Sequence, residues 1–97
     1  MSTLFVLSHA PGSDPGESHK LSFAREGDAV ILIEDAVFGA VAVETPLTAV
    51  LEDARERGLG IYALEPDLAA RGIETSLERV DYPGFIDLLA RHDRAIH

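Results

Sequence analysis

The sequence predicts an α/β fold, a small three-layer parallel sheet of about four strands held between helices. Three observations lead there. Short apolar runs rich in strand formers alternate with helix-patterned stretches along the whole chain. One run, Ala29–Ile33, is continuously apolar, as a strand buried on both faces must be. Cap residues and prolines open the helical stretches and glycines close them. Ninety-seven residues with 46% apolar content suffice for one core, so residues 1–97 are expected to form a single domain.

The first strand is read at Thr3–Ser8 (TLFVLS) and is closed by the turn-prone His9-Ala10-Pro11-Gly12. Asp14 as cap, Pro15 at the first helical position and Glu17 at capping-box spacing start a helix that should run to Gly27. Ala29–Ile33 is the second strand and should lie in the middle of the sheet. Glu34 and Asp35 end it, with Asp35 expected to cap a short apolar helix over Val37–Val41. Thr45 and Pro46 open the next helix, Leu47, Val50, Leu51 and Ala54 form its inward stripe, and Gly58 stops it. Gly60–Leu64 is the third strand, Pro66–Arg71 a short helix ended by Gly72, and Glu78–Asp81 a brief fourth strand. Pro83 begins a last helix whose inner face is read as Phe85, Ile86, Leu88 and Leu89.

Composition removes several classes of function. The chain has no cysteine, which excludes disulfides, thiol nucleophiles, thiolate metal sites and any persulfide carried on it. A formal charge of −9 argues against direct binding of nucleic acid, which needs a concentrated basic face. No signal-peptide pattern follows Met1 and no apolar run approaches the ~20 residues that span a bilayer, so a cytoplasmic location without a membrane partner is expected.

The remaining chemistry is sparse. In a parallel sheet, ligands dock at the carboxyl ends of the strands, which here carry Ser8-His9, Glu34-Asp35, Glu65 and Asp81-Tyr82. The Gly12–Lys20 loop fails as a phosphate loop, because three residues rather than four separate its glycines and Lys20 follows Gly16 too late. The four histidines show no metal-ligand spacing, so no metal or other cofactor is expected. Ser8 and His9 are strand neighbours that point to opposite faces, which speaks against a nucleophile–base pair. No catalytic residue is assigned.

Three segments in register resemble the TusB/DsrH family. They are Glu26–Val37 (EGDAVILIEDAV), Tyr62–Gly72 (YALEPDLAARG) and Val80–Leu88 (VDYPGFIDL); their order, their spacing and the total length all agree, so the resemblance extends over nearly the whole chain. The resemblance implies a DsrE/DsrF/DsrH-like fold. It implies a non-catalytic subunit of a TusBCD- or DsrEFH-like sulfur-relay complex, with TusC/DsrF-like and TusD/DsrE-like partners in a heterohexamer. Such complexes move persulfide sulfur toward tRNA wobble 2-thiouridine or within sulfur oxidation, and the chief active cysteine lies on the TusD/DsrE-like partner. Some DsrH-type members carry a cysteine in the first helix, where this chain has Lys20, and that departure implies a TusB-like scaffold role.

The expected interface is the short helix and its neighbours, with Val37, Phe38 and Val41 as candidate residues, since Val37, Phe38, Val41 and Val43 are too many apolar positions for one narrow inward stripe. A homodimer through the same surface is expected when partners are missing. The rival reading is a stand-alone small-ligand binder or enzyme using the acidic strand edge with His9 or His19.

Overall fold

The computed structural model describes residues 1–11, 13, 16, 19–41 and 46–97. The expected helix start at Asp14, Pro15 and Glu17, the apolar Val43 and the Thr45 cap lie outside them. Five strands form one sheet: β1 (Thr3–Leu7), β2 (Ala29–Leu32), β3 (Gly60–Leu64), β4 (Glu78–Val80) and β5 (Arg94–Ile96). Their order is β4-β3-β2-β1-β5 and all pairs are parallel. As expected, β2 is central, and every residue of β1 and β2 is buried. Three α-helices lie wholly among the described residues: α1 (Pro46–Glu56), α2 (Glu65–Ala70) and α3 (Tyr82–Arg91). Two 3₁₀ segments, Lys20–Phe23 and Glu34–Ala40, also lie among the described residues.

The order of the strands decides which face each connection covers. From β1 through β4 the chain steps in one direction, so right-handed connections must all cross the same face. Leu21, Val37, Leu51 and Leu68 from these connections accordingly share one core with Phe5, Leu7, Val30, Leu32, Ile61 and Ala63. The step from β4 to β5 runs the opposite way across the whole sheet, which carries α3 to the other face. There Leu88, supported by Phe85, packs on Leu4, Val6, Ala29 and Ile31. Among the described residues one face therefore has four covering segments and the other a single helix.

Four details differ from the sequence reading. The sheet has a fifth strand, made of only Arg94, Ala95 and Ile96. It is fastened to the start of β1, where Ser2 O accepts from the N–H groups of Asp93 (3.0 Å) and Arg94 (3.3 Å). The Ser2 N–H donates in turn to Asp93 Oδ2 at 2.7 Å.

The second difference is the turn before β2. It is a 3₁₀ segment that ends at Phe23, well short of Gly27. Ala24 is extended there, so that its carbonyl and that of Leu21 (3.0 Å) accept from the Arg57 guanidinium. Asp28, buried, then bonds the Thr3 N–H (2.8 Å) and the Arg25 N–H (2.9 Å), locking the start of β2 against β1.

Third, the segment after β2 begins at Glu34 and is 3₁₀, and Asp35 does not cap it. Its carboxylate is taken by Arg71 instead. Fourth, α3 buries only Leu88 fully, whereas Ile86 is 66% and Leu89 40% exposed. At 100° per residue, positions 85, 86, 88 and 89 span about 160° of helix circumference, more than one sheet face can cover. Asp81 caps this helix by accepting the Gly84 N–H at 2.8 Å. Gly58 (φ +89°) and Gly72 (φ +64°) take up the left-handed conformation after α1 and α2, as helix stops require.

Candidate functional site

The carboxyl edge of the sheet gathers the acidic residues where the sequence puts them, but most are engaged by the chain itself. Glu34 has φ +49°, a left-handed conformation that costs a residue with a Cβ about 1–2 kcal/mol. Its N–H donates to Asp67 Oδ2 at 2.6 Å, which ties the turn after β2 to the first turn of α2. Arg71 completes the clamp. Its Nε (3.0 Å) and Nη2 (2.9 Å) both reach Asp35 Oδ1, and its Nη1 donates to the Asp67 carbonyl at 3.2 Å. Glu34 and Asp35 are thus parts of a braced turn.

At the β1–β5 end of the same edge, Ser8 Oγ lies 3.0 Å from His97 Nε2. Sequence reading missed this contact because it needs β5, which brings residues 89 positions apart together. A hydroxyl becomes an activated nucleophile when the base beside it is oriented by a third group. Among the described residues no carboxylate hydrogen-bonds to His97. His9 is exposed, and His19 is exposed with its ring edge-on to Phe23 at 5.6 Å. The described residues contain no group of three or more His, Asp or Glu arranged to hold a metal ion.

The expected interface segment is divided by the structure. Val37 is wholly buried in the chain's own core, Phe38 is 43% exposed, and Val41 is half-buried. Val41 lines an open groove of about 780 Å³ between this segment, α1 and the Glu74–Leu77 loop, together with Leu51, Arg55 and Thr75. Thr75 Oγ1 donates to the Ala40 carbonyl at 2.8 Å and fixes one wall of that groove. A second apolar surface went unread in the sequence: Tyr82 (54% exposed), Ile86 and Leu89 stand one turn apart on the outer side of α3. The width of the apolar arc on this helix was the available signal.

Comparison with known proteins gives one consistent result. The family model described as DsrH like protein matches residues 11–95. Protein TusB of Salmonella dublin is 38% identical over 76 residues, covering 74% of this chain and 76% of that protein. Protein TusB of Salmonella enteritidis matches to the same extent. The solution NMR structure of protein Tm0979 from Thermotoga maritima superposes with a TM-score of 0.63 at 28% identity, over 91% of each chain.

Proposed function

The chain belongs to the DsrH-like family of sulfur-relay subunits, and from that premise we propose that it is a non-catalytic scaffold of a TusBCD- or DsrEFH-like complex. Its partners in this reading are a TusC/DsrF-like and a TusD/DsrE-like subunit, two copies of each of the three chains assembling into a heterohexamer in the cytoplasm. The complex passes persulfide sulfur toward tRNA wobble 2-thiouridine or within sulfur oxidation. Residues 1–97 act as one domain.

The observation that carries this reading is the absence of cysteine in a member of a sulfur-relay family. With no thiol, the chain has nothing to hold sulfane sulfur, so its contribution must be to bind and position the subunits that do. The functional polar residues point the same way. In each segment that marks the family an aspartate is committed to architecture: Asp28 joins β1 to β2, Asp67 with Arg71 braces the turn after β2, and Asp81 caps α3.

The contact surface in this reading is the Glu34–Val41 segment, with Phe38 as anchor and Val41 beside it at the groove. Val37 acts from beneath, since its burial fixes which way Phe38 faces. An exposed aromatic is a frequent anchor of interfaces. The test is co-expression with DsrF-like and DsrE-like subunits followed by co-purification. The native chain should bring both along. Phe38→Asp should lose them while keeping the circular dichroism and melting behaviour of the folded chain. Retention of both partners by Phe38→Asp would remove this surface from the proposal, and failure of the native chain to bind either would remove the scaffold role.

A further inference from the structure

The one-directional march of the connections from β1 to β4 has a consequence for β5. Among the described residues no crossover passes over β5 on the face that carries the larger core, and Ile96 there is only partly buried. A pocket of about 300 Å³ lies there, at the amino end of the sheet. Phe5 and Ile96 form its apolar floor, and Phe23, 71% exposed, stands at its side. Its rim carries Lys20, Arg25 and Arg94, three of the eight Lys and Arg in a chain of charge −9. Asp28 is the one acidic side chain among its described lining residues. Both its oxygens are already engaged, by the Thr3 and Arg25 N–H groups. The pocket is an apolar hollow ringed by positive charge on an otherwise acidic molecule.

We propose that this pocket is a docking site for an acidic segment of a partner polypeptide, which seats one apolar side chain on Phe5 and Ile96 and sets flanking carboxylates against Lys20, Arg25 and Arg94. Charge complementarity selects this occupant. An acidic segment is repelled by most of the surface and attracted here, so the long-range field orients its approach. Phe23, 71% exposed at the pocket's side, adds an apolar surface that a chain running past the pocket would cover. The site is separate from the Phe38 surface and does not depend on the sulfur-relay reading.

The test uses the full chain, labelled for amide NMR, and acetylated pentapeptides Glu-Asp-X-Asp-Glu in which X is Leu, Phe or Met. At least one should shift the amides of Phe23, Arg25, Arg94 and Ile96. The Gln-Asn-X-Asn-Gln counterpart should bind at least about tenfold more weakly, and so should the acidic peptide to a Lys20→Glu/Arg25→Glu variant. Binding should also fall in about 0.5 M salt, where screening shortens to a few ångströms. Phe38→Asp should bind the peptides as the native chain does, which separates this site from the assembly surface. The proposal is overturned if none of the three acidic peptides shifts these amides, or if the uncharged peptides bind equally. It is overturned as well if octanoate occupies the pocket while the peptides do not, since the site would then serve a small carboxylate.

Discussion

Asp67→Ala isolates the brace at the carboxyl edge. The substitution removes the acceptor for the Glu34 N–H, a 2.6 Å bond to a carboxylate whose side chain is only 18% exposed. A hydrogen bond to a charged group contributes about 1.5–3 kcal/mol. Glu34 is itself exposed, so water recovers part of the lost bond and the low end, about 1.5 kcal/mol, applies. The 3.8 Å contact between Arg71 and Asp67 adds little, as partly solvated pairs do. In a domain of this size 1 kcal/mol moves the melting temperature by about 4–8 °C, so Asp67→Ala should lower it by about 6–12 °C. Asp67→Asn keeps an oxygen acceptor and should lose roughly half as much. Glu34→Gly added to Asp67→Ala should recover about 1 kcal/mol, because glycine accepts φ +49° without the Cβ penalty. Urea unfolding followed by far-ultraviolet circular dichroism gives all three values. The reasoning fails if Asp67→Ala lies within about 0.5 kcal/mol of the native chain, or if Glu34→Gly destabilises further.

Leu88→Ala should be the most damaging single truncation on α3, costing about 3 kcal/mol in the same unfolding assay, since Leu88 is the one fully buried side chain of that helix; a loss under about 1 kcal/mol would mean that α3 does not seal this face. The Asp93 carboxyl is held below its ordinary value of 3.8, chiefly by the Ser2 N–H that it accepts. A depressed folded value places its contribution above the ordinary aspartate range and removes it as pH falls through the lower, folded value. Carbon-detected NMR titration should therefore find the Asp93 midpoint below that of an unstructured aspartate, with the β1–β5 amides exchanging faster in acid; an ordinary midpoint would break the link between Asp93 and β5.

What could be read from the sequence was what depends on burial along a strand. Ala29–Ile33 is apolar at every position, and only a two-sided interior makes use of that, so the central strand was plain. The β3 limits and the glycine stops were legible for equally local reasons. β5 was not, since Arg94-Ala95-Ile96 has no pattern of its own and becomes a strand through its bonds to Ser2, ninety-odd residues away in sequence. The role of Asp35 was misread because a cap is a local preference, whereas the Arg71 guanidinium that claims it comes from the far end of α2. Arc width on α3 decided Ile86 and Leu89: an inward stripe was assumed where the helix has one sheet face to cover. The interface residues Val37, Phe38 and Val41 illustrate the same limit. Their hydrophobicity is alike, and only the fold separates the buried Val37 from the exposed Phe38.

The scaffold role itself is tested most directly by intact-mass spectrometry of the assembled complex. The chain is co-purified with its DsrE-like and DsrF-like partners, incubated with a cysteine desulfurase and cysteine as persulfide donor, and each subunit is weighed without reductant. A sulfur-relay scaffold with no thiol predicts a mass increase of one or more sulfur atoms on the cysteine-bearing partner and an unchanged mass for this chain. A stable sulfur adduct on this chain, or sulfur loading of the partner that proceeds equally well in its absence, would contradict the account.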